Sequence, residues 1–199
     1  MIPHNKPTIG DEEESAALRV LRSGQLAQDI EVEEFENEFC KFVGLPRGHS
    51  VAVSSGTASL YLALLTLKAS GKDIVFPGYV CSAIRNAVDM IGGNEQIVDV
   101  SSNSPNIDIR KIGQDKFAMI PHMYGIPVDL SEHKNFHVIE DCAQALGAKV
   151  KGISVGLHGD VGIFSFYVTK LITTGGQGGM VISKNKEYIE MIKDYREFD

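Results

Sequence analysis

The chain has 199 residues, of which 43% are hydrophobic and 23% are charged, and its formal net charge at pH 7 is −7. This length is enough for a domain with a sizeable core, and the acidic balance gives no attraction to nucleic acid or to an anionic membrane. The chain has no apolar stretch of transmembrane length, and Met1–Lys6 lacks the apolar core of a signal peptide, so we expect a cytoplasmic protein.

Residues 1–48 are predicted to form a helical segment. The run Asp11–Glu14 places acidic side chains in the first turn of a helix that extends to about Arg22, where the helix dipole favours them. Gly24 breaks this helix. A second helix is predicted over Glu31–Val43, because its apolar residues recur at helical spacing with acidic residues on the other face.

From residue 49 the pattern changes, and residues 49–199 are predicted to form an α/β core. Short runs that are almost continuously apolar, as in strands buried on both faces, alternate with helical stretches. This rhythm favours a mainly parallel sheet sandwiched by helices. The clearest helices are Thr57–Lys68 and Ser82–Met90. The predicted strands are Ser50–Val53, Asp73–Phe76, Gln96–Val100, Lys116–Ile120, His137–Ile139, Gly162–Phe166 and Met180–Ser183.

The residues after the first predicted strand indicate an anion site. Ligands of such sheets bind beyond the carboxyl ends of the strands. Gly56 allows backbone N–H groups to approach a ligand, and Thr57 opens a helix whose N-terminus favours an anion. An ordinary helix N-cap is the alternative explanation of the same residues.

Two acidic residues follow the strand His137–Ile139. A buried carboxylate is unfavourable unless it has a cationic partner, so Glu140-Asp141 either meets a cation such as a protonated ring nitrogen or forms a helix cap or a surface pair. Further along the chain, the Ser165 hydroxyl lies inside an apolar run and needs a partner. That partner is either a phosphate or a backbone carbonyl.

Lys170 follows the apolar run that contains Ser165, and the glycine-rich segment 173–179 comes next. A lysine amine is a nucleophile only when it is deprotonated, and burial lowers its pKa. Lys170 is therefore a candidate for Schiff-base chemistry at the end of a buried strand, although most lysines are solvated. An anion site, an aspartate at a strand end, a serine and a lysine together meet the needs of pyridoxal phosphate (PLP).

The sequence resembles the DegT/DnrJ/EryC1/StrS family of PLP-dependent sugar aminotransferases over nearly its whole length. The resemblance implies the large domain of a fold-type I PLP-dependent transferase and a homodimer with active sites at the subunit interface. It also implies transfer of an amino group, usually from glutamate, to a keto-sugar nucleotide. The matching segments, after an opening Arg22–Leu26, are Ser55–Leu60, Pro77–Tyr79, His122–Gly125, Glu140–Ala148 and Gly159–Gly179.

The resemblance also implies the roles of the catalytic residues. Lys170 would form the Schiff base and later move the proton of the substrate. Asp141 would pair with the pyridinium nitrogen and keep the ring an electron sink. Gln144 would lie beside the ring and its phenolic oxygen.

The phosphate group has its own implied ligands. Thr57, the backbone at Gly56 and Ala58, and Ser165 would hold it. Cys81 falls where many family members carry an aromatic residue that stacks on the cofactor ring, so its thiol would face the ring instead.

Two other departures from the family leave alternatives open. Family members continue into a small C-terminal domain that helps close the active site, and we expect that domain to be absent here. The glycine turn carries an apparent insertion, Gly176, and has Gln177 in place of an acid. A PLP-binding module without turnover of its own is therefore the alternative function. A PLP dehydratase is disfavoured by Lys170, and a dinucleotide-binding domain by the absence of GxGxxG.

The cysteines and histidines predict neither a disulfide framework nor a metal site. Cys40, Cys81 and Cys142 are scattered and include no CxxC pair, and the histidines include no HxxxH pair. His122, after an apolar strand, either lines the pocket or is a hydrogen-bonded core histidine.

Overall fold

Helices and strands alternate along the computed structural model, which describes residues 5–131 and 135–197. Residues 1–4 of the predicted helical segment and residues 198–199 of the predicted α/β core lie outside this part. The helices are α1 (Asp11–Ser23), α2 (Ile30–Val43), α3 (Gly56–Thr66), α4 (Ser82–Met90) and α5 (Lys186–Arg196). The strands are β1 (Ser50–Val53), β2 (Asp73–Pro77), β3 (Asn94–Val98), β4 (Phe117–Pro121), β5 (His137–Asp141), β6 (Lys149–Val150), β7 (Ile153–Ser154), β8 (Val161–Ser165) and β9 (Gly179–Ile182).

The strands form a seven-stranded sheet of order β1-β9-β8-β5-β4-β2-β3 and a separate two-stranded ladder, β6-β7. From β8 to β3 all neighbours are parallel, whereas β9 is antiparallel to both β1 and β8. The mainly parallel α/β architecture is therefore confirmed. All of the predicted strands exist, with ends shifted by at most about two residues, as is usual for element boundaries.

Apolar side chains cover both faces of the sheet. On β8, Ile163 packs into a cluster with residues of α3, α4 and α5, whereas the next residue, Phe164, packs into a second cluster with Phe39 of α2. Because successive strand residues point to opposite faces, these two clusters are the two layers between sheet and helices. The helices on both faces match the expectation.

Helix α5 was not predicted, and the structure explains how it forms. Its apolar anchors are Ile189 and Ile192, which are fully buried, and the Asn185 side chain caps its start by accepting the Glu187 N–H at 3.0 Å. At its end, Arg196 reaches α2 through a buried ion pair with Glu36 at 2.6 Å. The helix is therefore packed against the core through its two isoleucines and is bonded at its C-terminal end to α2 and β1.

No helix in the described part of the chain is both long and apolar enough to cross a membrane.

Candidate active site

A cavity of about 310 Å³ lies beyond the carboxyl ends of the parallel strands. Its walls come from the segments after β1, β2, β4, β5 and β8, so chain segments that are far apart in sequence meet there. This edge is where open α/β sheets bind ligands. The predicted site residues that line the cavity are Gly56, Thr57, Cys81, Asp141, Gln144, Ser165 and Lys170.

The start of α3 lies directly against Ser165. A Cβ added to Gly56 would lie 2.8 Å from the Ser165 Cβ and 3.0 Å from its Oγ, closer than such atoms approach. Only glycine at this position lets the first turn of the helix meet β8. Because the first N–H groups of a helix lack intrahelical acceptors, a hydroxyl and a helix N-terminus converge on one side of the cavity, and this arrangement suits a phosphate.

Ala58 is placed differently from the other predicted residues. Its N–H donates to Ser55 Oγ at 3.1 Å, and the residue lines a separate cavity with Leu62 and Tyr195. Ser55, not Thr57, therefore caps α3, and the helix N–H groups that remain at the cavity are those of Gly56 and Thr57. The contribution of Ala58 to phosphate binding stays a prediction.

Asp141 ends β5 on the cavity wall and is 9% exposed. Burial raises the pKa of this carboxyl above its ordinary value, and the Ala143 N–H, which donates to Oδ1 at 3.0 Å, together with the charge of Lys170, only partly offsets the rise. A buried carboxylate in this state is stabilised by a further cation. The residue fits a protonated ring nitrogen.

Gln144 is held by the turn that follows β4. Its Oε1 accepts the Tyr124 N–H at 2.9 Å, and the Tyr124 backbone has a φ of 56°, a conformation that non-glycine residues rarely adopt. The Tyr124 hydroxyl is in turn hydrogen-bonded to that of Tyr79. The turn therefore fixes where the Gln144 amide meets the cavity, a role for Tyr124 that its exposed aromatic character did not predict.

Lys170 lies in a turn beyond β8. The strand ends at Ser165, and the Lys170 N–H donates to the Tyr167 carbonyl at 2.8 Å. Lys170 and Gln144 also line a neighbouring cavity of about 1060 Å³, whose other walls include residues 5–9. The lysine therefore lies between the smaller cavity and the larger one and lines both.

Cys81 and Gln177 complete the walls of the smaller cavity. Cys81 is an exposed free cysteine at the start of α4 and lines this cavity, and its correspondence to the aromatic residue of the family pattern stays a prediction. Gln177 also lines this cavity, although the sequence indicated only that it replaces an acid. Both substitutions therefore lie where they can alter what the cavity accepts.

His122, Glu140 and Cys142 bring potential metal-ligand atoms within 4.8 Å of one another. His122 Nδ1 already accepts the Val128 N–H at 3.0 Å, and its Nε2 is 3.0 Å from Glu140 Oε2. Burial, with the charges of Glu140 and Asp141, raises the pKa of the Cys142 thiol well above its ordinary value. A metal requires free imidazole nitrogen and thiolate, so this group is better suited to holding the fold. His122 is both cavity-lining and hydrogen-bonded.

Comparisons with known proteins agree with this geometry. The model of the DegT/DnrJ/EryC1/StrS aminotransferase family matches residues 7–199. GDP-perosamine synthase of Escherichia coli O157:H7 is 34% identical over 198 residues, which are 93% of this chain and 54% of that protein.

Two solved structures are similar over nearly all of the chain. An aminotransferase from Psychrobacter cryohalolentis has a TM-score of 0.87 and 32% identity over 95% of this chain and 51% of its own. The aminotransferase TlmJ from Streptoalloteichus hindustanus has a TM-score of 0.89 and 28% identity, and the match covers 100% of this chain and 60% of that structure's chain. The chain thus spans about half the length of the relatives that it matches.

Proposed function

This chain belongs to the DegT/DnrJ/EryC1/StrS aminotransferase family, and from that premise we propose that it is the PLP-binding part of an enzyme that transfers an amino group from an amino acid such as glutamate to a keto-sugar. The name of the similar Escherichia coli enzyme states that its product carries GDP, which supports a nucleotide-linked sugar as acceptor. We include in this proposal a homodimer in the cytoplasm.

The observation that carries the proposal is that one cavity gathers an anion site, a buried carboxylate and a lysine. Thr57 and Ser165 belong to the anion site, Asp141 is the carboxylate and Lys170 is the lysine. PLP, when bound, supplies an electron sink that labilises bonds to the carbon bearing the substrate amine. A single ligand with a phosphate, a basic ring nitrogen and an aldehyde would meet all three groups of this cavity.

Each residue has a defined task in this proposal. The Ser165 hydroxyl and the N–H groups of Gly56 and Thr57 bind the phosphate. The Asp141 carboxylate keeps a proton on the ring nitrogen, because the buried anion favours a cation beside it. Lys170 Nζ would hold the cofactor through its aldehyde and would take up and return the substrate proton.

Gln144 and Cys81 shape the cavity around the ring. The Gln144 amide, fixed through the Tyr124 N–H, is a hydrogen-bond partner for a ring substituent. Cys81 offers a smaller face than an aromatic side chain, so the ring is held less by stacking and more by its polar contacts.

The test is a PLP titration followed by borohydride reduction and peptide mass spectrometry. We expect a visible absorption band on binding and a covalent label on Lys170, both lost in Lys170→Ala. A wild-type chain that takes up no PLP, or a label on another residue, contradicts the proposal.

A second measurement separates the enzyme from the PLP-binding module without turnover. The chain is mixed with PLP, glutamate and a GDP-linked keto-sugar, and the formation of amino-sugar is followed by mass spectrometry. Both readings predict the label on Lys170, but only the enzyme predicts product formation that Lys170→Ala abolishes.

A further inference from the structure

Glu140 is a fully buried carboxylate one residue before Asp141 on β5. Consecutive strand residues face opposite sides of a sheet, so Glu140 does not share the cavity wall with Asp141. Its Oε1 accepts the N–H groups of His158 and Gly159, both at 2.7 Å. Its Oε2 accepts the Gly156 N–H at 2.9 Å and faces His122 Nε2 at 3.0 Å. These donors satisfy the carboxylate on both oxygens.

The donors keep Glu140 ionised. Burial by itself raises the pKa of this carboxyl. His122 and the N–H groups of Gly156 and Gly159 together lower it by more than burial raises it, so the pKa lies below its ordinary value. His122 Nδ1 accepts the Val128 N–H, which places the imidazole proton on Nε2, directed at Glu140. Both ring nitrogens are thereby fixed, and His122 cannot turn away without losing one of these bonds.

The bonds to Glu140 connect the segments that build the cavity. The turn 156–159 leads into β8, which carries Ser165. His122 follows β4 and starts the turn in which Tyr124 holds Gln144. The Glu140 backbone itself continues into Asp141. One carboxylate therefore joins the ends of β4 and β5 to the turn before β8.

The turn 156–159 has no space in which to shift. A Cβ on Gly162 would lie 2.5 Å from the Gly156 backbone, and a Cβ on Gly159 would lie 2.7 Å from a Val138 methyl group. Gly156 has a φ of 88°, which other residues rarely adopt. Because closely packed segments transmit a displacement instead of absorbing it, movement of this turn moves β5 and β8.

We propose that Glu140 is a positioning residue of the cofactor site, which sets Asp141, Ser165 and the β4 turn at the mutual distances that PLP requires. Glu140 acts through these residues and not by touching the cofactor. This inference rests on the proposed function and adds a residue on the far face of the sheet to the residues that determine cofactor affinity and orientation.

Glu140→Gln tests the proposal. The amide keeps the size of the side chain, but whichever way it is turned its NH₂ group faces two N–H donors. We expect the Kd for PLP to rise at least about tenfold, the lower end of the loss seen when outer partners of metal ligands are removed. We also expect a weaker visible circular dichroism band of bound PLP, since this band depends on the orientation of the ring in its chiral site.

Glu36→Gln is the matched control. Glu36 is also buried, but it accepts from Arg196 and from the Ala52 N–H at the β1 edge of the sheet. This variant is expected to unfold at a lower temperature, as Glu140→Gln does, and to keep the wild-type PLP affinity and dichroism band. The comparison separates loss of positioning from loss of stability.

PLP binding by the two variants and by wild type separates failure of the Glu140 proposal from failure of the proposed function. If Glu140→Gln unfolds earlier but binds PLP with wild-type affinity and dichroism, Glu140 only stabilises the fold and the proposal is overturned. If wild type and Glu36→Gln also take up no PLP, the proposed function itself fails.

Glu140→Asp replaces this test if Glu140→Gln does not fold. The shorter side chain keeps the negative charge but cannot reach His122 and the turn 156–159 together. We expect it to bind PLP more weakly, and with a weaker dichroism band, than Glu36→Asp, its control. Wild-type affinity and dichroism in Glu140→Asp overturn the proposal.

Discussion

Two buried carboxylates, Glu36 at the β1 edge and Glu140 below the cavity, are satisfied in different ways. Glu36 is paired with a cation, since Arg196 Nη1 lies 2.6 Å from its Oε1 and both side chains are almost buried. Glu140 is held by backbone N–H groups and the imidazole N–H of His122. The ion pair at the edge cancels its own charge, whereas the charge of Glu140 persists next to Asp141.

The difference shows what each region is suited to do. A closed ion pair stabilises only the arrangement that brings its partners together, because removing either partner leaves a buried charge. Asp141 instead accepts the Ala143 N–H, and burial raises the pKa of its carboxyl. A cation brought by a ligand, such as a protonated ring nitrogen, would stabilise its charged form. The ion pair at the β1 edge therefore stabilises the fold, whereas the strand ends at the cavity are suited to bind a ligand.

Breaking the ion pair should produce the largest effect on stability. Arg196→Met leaves Glu36 buried without its cation, so we expect the free energy of unfolding to fall by about 3–5 kcal/mol, measured by urea denaturation. PLP affinity should be unchanged, because neither residue lines the smaller cavity. A loss of affinity that exceeds the loss of stability would show that the two regions are coupled.

Removing the charge at the cavity should have the largest effect on chemistry. Asp141→Asn keeps the size of the side chain but cannot hold a proton on the ring nitrogen, so we expect glutamate to react with bound PLP at least about a hundredfold more slowly. The rate is followed by the loss of the visible band after mixing in a stopped-flow instrument. Wild-type rates in this variant would remove Asp141 from the proposed role, and unchanged unfolding by urea at saturating PLP serves as the control for folding.

The strand ends could be predicted from sequence because apolar runs stop at polar residues there. Asp141 and Ser165 were identified in this way, and the structure brings both to one cavity. Helix α5 was missed because its buried anchors, Ile189 and Ile192, stand among charged residues. The start of α3 was predicted at Thr57, one residue late, since Ser55 and Thr57 are equally suitable near a helix start by residue type.

The surroundings of Glu140 could not be predicted at all. Its donors lie at residue 122 and in the turn 156–159, and no local pattern reports a contact across such a separation. From the sequence alone, Glu140 and Asp141 had the same possible roles, namely pairing with a cation, capping a helix or forming a surface pair. Only the alternation of strand residues, combined with the sheet register, assigns them to opposite faces.

Removing one phosphate donor should have an intermediate effect. Ser165→Ala deletes the hydroxyl next to the start of α3, and hydrogen bonds to charged groups contribute roughly 1.5–3 kcal/mol, so we expect PLP affinity to fall by about tenfold or more. Ser183→Ala is the control, because this buried hydroxyl donates to the Asp160 carbonyl at the amino end of β8, whereas the cavity lies at the carboxyl ends of the strands. Equal affinities of the two variants for PLP would argue against a phosphate at Ser165.

The smallest effect concerns pH and distinguishes Asp141 from its neighbour. Burial raises the pKa of Asp141 in the folded chain, so without PLP the unfolded state releases this proton first and stability falls as pH rises above the ordinary value of about 3.9. The lowered pKa of Glu140 acts in the opposite direction, and stability is lost as pH falls through the acid range. Asp141→Asn should therefore gain stability relative to wild type as pH rises from about 4 toward neutrality. Urea denaturation of the PLP-free proteins across this range measures the difference. A stability difference that stays constant with pH would mean that Asp141 titrates as it does in the unfolded chain. Saturating PLP should abolish the stability gain of Asp141→Asn, because the cofactor then supplies the cation that the wild-type carboxylate lacks.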